Sequence, residues 1–278
     1  MIFEDEPGGM WQIAGASVRG MSHIQFGLPN QDAAKWFVGP EQRSFVLAVA
    51  DGHGSPAYVR SDRGSKFAVS IAVDELQGFA DGSKEGGAGS DLPKLEERIL
   101  SRWLEAVQTD LAKSPLTGEE AEALAAEELE PNSAYGATLL AAFVSQSYGF
   151  AVQIGDGTIY LVGTDGEVAP ALTLPDLPGE STYSLCMPDA IEFVEARSFT
   201  ADDLGRLAAI VISTDGYNKS FRDDTLAAAQ IKTMSERLNW DSSETMSREL
   251  EEWLGLVSQA GSGDDISLII AARRGDKA

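Results

Sequence analysis

The order in which two kinds of apolar pattern occur along the chain constrains its fold most. Six short runs rich in branched residues, at 45–50, 138–144, 149–154, 158–162, 207–213 and 266–272, have the length and composition of strands. Several are punctuated by Asp-Gly or Gly-Asp turns. Helical spacing runs through 64–76, where Phe67, Ala68, Ile71, Ala72 and Leu76 share a face, and through 95–107, where Leu95, Ile99, Trp103 and Val107 do so. Segments 119–129, 225–238 and 245–256 are further helical candidates. Strand pairs, then long helices, then hairpins, then helices and a last strand is not the alternation that a doubly wound sheet needs, and it predicts a layered α+β fold. Segment 80–90 reads as a flexible loop between elements and 172–189 as an irregular, proline-containing stretch. Chemical motifs lie on both sides of each, so neither marks a boundary and residues 1–278 read as one domain.

Charge and cysteine usage exclude several functions. With 44 acidic against 21 basic residues the net charge is −23, which opposes nucleic acid and anionic membrane surfaces, since both are bound largely through lysine and arginine. A cation cofactor or a cationic partner fits better, and acidic charge also serves solubility alone. Cys186 is the only cysteine, so the chain can build neither an internal disulfide nor a cysteine zinc site, and any metal must be held by oxygen or histidine. The acidic N-terminal stretch lacks the apolar core of a secretory signal, and no apolar run approaches the roughly 20 residues of a membrane span. A cytoplasmic protein is expected.

Three aspartates border the strand-like runs: Asp51 follows FVLAVA, Asp215 follows AAIVIST, and Asp264 just precedes DISLIIAA. A carboxylate at a strand end projects into the mouth of a sheet from a fixed backbone, an arrangement suited to hard divalent cations that take oxygen ligands. Gly52 lets the backbone approach an ion, which makes its carbonyl a candidate ligand. Asp-Gly is by itself a common turn, and the chain has five, at Asp51, Asp81, Asp156, Asp165 and Asp215. Only Asp51 and Asp215 follow long apolar strands and lie in longer recognisable strings. His53, two residues past Asp51, is placed for proton transfer, and His23 is either a turn residue or a functional one.

The strings Asn30-Gln31-Asp32, Val49-Ala50-Asp51-Gly52-His53-Gly54, Gly136-Ala137-Thr138-Leu139-Leu140, Ile154-Gly155-Asp156-Gly157, Ser213-Thr214-Asp215-Gly216 and Gly263-Asp264-Asp265-Ile266-Ser267 together resemble the type 2C, metal-dependent protein phosphatases. They occur in the family's order over about residues 15–272. The resemblance implies a four-layer α-β-β-α sandwich, two packed antiparallel sheets flanked by helices, with two divalent cations, manganese or magnesium, at one end. It implies that Asp51 bridges both cations, that the Gly52 carbonyl binds one, that Asp215 and Asp264 complete the other, and that Asp32 acts directly or through water. Asp156 falls in a motif that is usually structural in the family and is left out of this ligand set. The implied reaction is hydrolysis of phosphoserine or phosphothreonine in a phosphorylated protein by a metal-activated water, with His53 protonating the leaving alkoxide. A cognate serine/threonine kinase is the partner such a family implies.

The departures matter too. The family's phosphate-binding arginine falls at Gly27, as in a bacterial branch that often lacks it, which leaves Arg60, Arg63 and His23 as candidate phosphate ligands. Lys219 stands where many members carry an acid, placed to contact phosphate or to weaken the second cation, and Asp265 replaces a common asparagine. Upstream of Gly136 only Glu130 and Asn132 are near, so a third cation is not expected. Two other readings of the residues stand beside this one: a catalytically silent phosphatase-fold binding protein, and a metal-dependent phosphatase of small phosphorylated metabolites.

Overall fold

The structure is a computed structural model that describes residues 11–82, 92–173 and 182–274. In chain order its strands are β1 (Trp11–Val18), β2 (Ala33–Val38), β3 (Phe45–Ala50), β4 (Leu139–Val144), β5 (Gly149–Ile154), β6 (Thr158–Gly163), β7 (Val168–Pro170), β8 (Glu195–Phe199), β9 (Leu207–Ser213) and β10 (Ile266–Arg273). Its helices are α1 (Met21–Phe26), α2 (Ser61–Gly82), α3 (Leu92–Lys113), α4 (Gly118–Ala126), α5 (Ala201–Gly205), α6 (Asp215–Lys219), α7 (Asp224–Leu238) and α8 (Ser243–Ala260). Among the described residues the strands form two five-stranded sheets, one ordered β1-β10-β9-β6-β7 and the other β2-β3-β4-β5-β8. Every neighbouring pair is antiparallel.

The central strands read as unbroken apolar runs because both of their faces are buried. Phe45, Leu47 and Val49 of β3 point between the sheets, where they meet Ile210 and Ile212 of β9 and Ile269 of β10. Val46, Ala48 and Ala50 point the other way, onto Ala68, Ile71, Ala72 and Leu76 of α2. Leu268 and Ile270 of β10 likewise face Ile231 and Leu238 of α7 and Leu250 and Leu254 of α8. The strand period of two therefore feeds three apolar layers, and the result is the predicted helix-sheet-sheet-helix sandwich. Each fully buried Leu, Ile, Val or Phe contributes roughly 1.5–3 kcal/mol relative to exposure.

Boundaries differ from the sequence reading where local chemistry intervenes. α4 stops at Ala126 instead of 129, because Glu128 adopts φ 57° and the Leu129 N–H turns back to the Leu124 carbonyl. α2 continues to Gly82, into the stretch expected to be loop; residues 83–90 of that stretch, like 174–181 of the second irregular stretch, lie outside the described residues.

Candidate metal centre

Strand register brings the acidic residues together. Ala33 of β2 pairs with Ala50 of β3, so Asp32 and Asp51 emerge side by side at one end of their sheet. In the other sheet Ser213 of β9 pairs with both Thr158 of β6 and Leu268 of β10. Asp215 leaving β9, Asp156 entering β6 and Asp264 entering β10 therefore arrive at a common end. One carboxylate oxygen from each of Asp51, Asp156 and Asp215 lies within 4.8 Å of the other two. Asp32 and Asp264 are near enough for their charges to act on Asp51.

Hydrogen bonds hold this end rigid. The Asp51 N–H donates to Thr138 Oγ1 at 2.9 Å, and the Thr138 N–H returns to the Asp51 carbonyl at 2.8 Å. A Cβ on Gly52 would lie 2.6 Å from the Gln31 carbonyl oxygen and 2.8 Å from that of Ser61, so only glycine fits the turn after Asp51. Thr214 Oγ1 donates to Asp32 at 2.7 Å and accepts from the Ser267 N–H at 2.9 Å, which ties the two sheets together. Asp265 accepts from the N–H groups of Gly20 and Gln31, both at 2.6 Å, while His23 Nδ1 lies 2.8 Å from its Oδ2.

The electrostatics are those of an acid cluster short of positive charge. Burial pushes the Asp51 carboxyl well above the usual carboxylate range, and Asp32, Asp215, Asp264 and Asp156 push it further. Burial raises Asp32 as well; the hydrogen bond from Thr214 offsets part of this, and Asp265, Asp264 and Asp215 add to it. Asp156 is raised by burial and then by Asp215. Lys219, one helical turn after Asp215, forms an ion pair with Asp215 Oδ2.

The residues singled out in the sequence are not all in the cluster. Asp51, Asp215, Asp264 and Asp32 converge at one end, as the motif order implies. Asp156, which the sequence reading left out, joins them; the signal was its position just before β6, the partner of β9. Arg60 is a correction. It is 6% exposed, and its guanidinium makes five hydrogen bonds within the protein: two to Glu120, one each to the carbonyls of Ser114 and Pro115, and one to Tyr135 Oη. A guanidinium has five N–H donors, so none is left for a phosphate. Arg63 is half-exposed and pairs with Asp110 of α3 at 2.8 Å. His23 is buried against Asp265, with Nε2 3.9 Å from Asp264 Oδ1. His53 packs edge-on against Tyr58, with ring centroids 4.8 Å apart, and burial pushes its imidazole down to about 4, opposed in part by Asp156. The resting imidazole is therefore neutral near pH 7. Thr214, Thr138 and Tyr58 shape the site and carried no chemical signal of their own in the sequence.

A sequence model described as protein phosphatase 2C matches residues 19–255. The chain belongs to the protein phosphatase 2C family. Metal-dependent dephosphorylation of serine and threonine in proteins is accordingly its activity class. Solved phosphatases share the fold at low identity. The Mycobacterium tuberculosis serine/threonine phosphatase PstP/Ppp is 18% identical with a TM-score of 0.57, covering 96% of this chain and 100% of that one. The catalytic domain of PstP in complex with two manganese ions is 19% identical with a TM-score of 0.60, covering 96% of this chain and 99% of that one. Staphylococcus aureus Stp1 is 16% identical with a TM-score of 0.60, covering 99% of this chain and 100% of that one. No curated protein matches by sequence comparison.

The acid cluster suits the manganese or magnesium of protein phosphatase 2C. Its donors are carboxylate oxygens, the hard ligands these cations prefer, and its raised carboxyls mark negative charge that a cation would compensate.

Proposed function

We propose that this phosphatase acts at the acidic end of the sandwich, with Asp51, Asp215 and Asp264, joined by Asp32 and the Gly52 carbonyl, as ligands of two divalent cations. The observation that carries the reading is the meeting of Asp51 from one sheet with Asp215 and Asp156 from the other within 4.8 Å. When bound, the cations supply an acidified water as nucleophile and positive charge against the phosphoryl oxygens. The protein's part is positioning. Asp51 and Asp215 follow buried strands of opposite sheets, β3 and β9, so the packing of the sandwich fixes the spacing between them. Thr214 aims Asp32, and Asp265 pins the His23 turn against the base of β10. His53, as a neutral imidazole, donates one ring N–H to the departing seryl or threonyl oxygen. Of the basic residues considered for the substrate phosphate, Arg63 and Lys219 remain, with His23 turned to Asp265.

The whole chain serves as one phosphatase domain in this reading. Its substrates are phosphorylated proteins, and a serine/threonine kinase acting on the same proteins is the expected counterpart. The single cysteine accords with a reducing, cytoplasmic setting; no helix among the described residues is long and apolar enough to cross a membrane. The test is turnover of a phosphothreonine peptide against a sugar phosphate, each with chelator and with restored manganese. Peptide turnover that depends on manganese is expected. Equal turnover in chelator would overturn the metal assignment, and preference for the sugar phosphate would move the substrate class to small metabolites.

A further inference from the structure

Lys219 places a cation of the protein's own at the carboxylate cluster. Its backbone lies four residues after Asp215 on α6, and its Nζ is ion-paired with Asp215 Oδ2. Asp215 is 6% exposed, whereas the Lys219 side chain is 58% exposed, so the carboxylate is fixed and the lysine can withdraw into solvent.

An ammonium and a divalent cation cannot share one carboxylate oxygen without strong repulsion. A metal at Asp215 must displace Nζ from Oδ2 or sit beside a positive charge. The neighbouring charges that act most on Asp51, at the end of β3, are all negative: Asp32, Asp215, Asp264 and Asp156.

We propose that Lys219 is a resident counter-ion that competes with the divalent cation at Asp215, so that the two cations bind with separated affinities, the one held by Asp215 weakly and exchangeably. The inference rests on the phosphatase reading above. It makes the second cation the one that responds to free metal concentration. Lys219 would then be the residue that sets the metal level at which the site fills.

The experiment is calorimetric titration of chelator-treated full-length protein with manganese, comparing wild type with Lys219→Met, which keeps the chain length without the charge, and Lys219→Arg, which keeps the charge. Wild type should show two steps, and Lys219→Met should tighten the weaker step on the order of tenfold, the scale of a competing ion pair lost together with a nearby like charge. Lys219→Arg should keep the weak step. Indistinguishable isotherms for wild type and Lys219→Met, or weaker binding by Lys219→Met, would overturn the competition while leaving the metal site intact. If neither wild type nor variant binds manganese, it is the phosphatase reading itself that fails.

Discussion

Asp32 is buried and Asp51 half-buried, and neighbouring carboxylates repel the charge of both, so each costs the metal-free fold some stability. Asp51→Asn keeps the shape and removes one charge. It should abolish manganese-dependent turnover yet raise the metal-free melting temperature by about 2–4 °C, the shift expected for about 1 kcal/mol of relieved repulsion in a protein of this size. Calorimetry on chelator-treated wild type and variant reads this, and a lower melting temperature would show Asp51 to be a structural carboxylate. His53 calls for a different comparison. A threonyl alkoxide is a poor leaving group that needs hydrogen bonding as it departs, whereas nitrophenolate does not. His53→Ala should therefore slow hydrolysis of a phosphothreonine peptide at least about tenfold more than that of para-nitrophenyl phosphate, at the low end of what proton donation provides. Equal losses on both substrates, with manganese affinity unchanged, would leave His53 only a packing role against Tyr58.

Between elements, the Arg60 cluster is a dense polar tie, joining the start of α2 to Glu120 at the first turn of α4 and to the loop after α3. Removing one partner of a buried ion pair strands the other, so Arg60→Ala should cost about 3–5 kcal/mol in urea unfolding, and Arg60→Lys should recover little because an ammonium lacks the planar fork. The Michaelis constant for substrate should stay near wild type, since the guanidinium never meets the phosphate. Arg60 also holds Glu120 down to about 2. That part of the stability is present above the ordinary glutamate value of about 4.3 and is lost as pH falls through about 2. The same region shows what the sequence could and could not convey. The spacing of Leu95, Ile99, Trp103 and Val107 announced a buried helical face, and these residues do line the layer under α2. Strands β3, β9 and β10 were legible because both faces are apolar. β8 was not, since four of its five residues are exposed, and β1 carries Gly15, Gln12 and Ser17 among its apolar positions. Motif order named four of the clustered aspartates, but nothing in the spacing told that Arg60 turns toward α4 or that Asp156 turns toward Asp215. Direction is set by pairing register and helix packing, which are properties of the assembled sheets.

For the molecule as a whole, metal and pH act on the same carboxylates. Because Asp51 and Asp32 are raised in the fold, the native chain keeps protons that the unfolded chain releases. Their contribution is most favourable below the ordinary value of about 3.9 and is lost as pH climbs toward the raised native values. His53 works in the opposite sense, since its lowered value favours the fold above about 6.5 and that gain is lost as pH falls toward about 4. Between the ordinary carboxylate value of about 3.9 and the raised native values the carboxyls oppose the fold as they ionise, so metal-free protein should lose thermal stability as pH rises through that interval. Saturating manganese should remove that loss, because cations bind the deprotonated ligands. A flat metal-free profile over this range would show that the cluster does not titrate there. One further consequence lies in the pairing of β1 with β10, from Trp11 opposite Arg273 to Val18 opposite Ile266. The last strand of the described chain is a central member of its sheet, flanked by β1 and β9. A growing chain on the ribosome cannot close that sheet until β10 has emerged. Contacts between such distant segments form slowly. The phosphatase is thus inert during its synthesis until β10 has been made and has docked between β1 and β9.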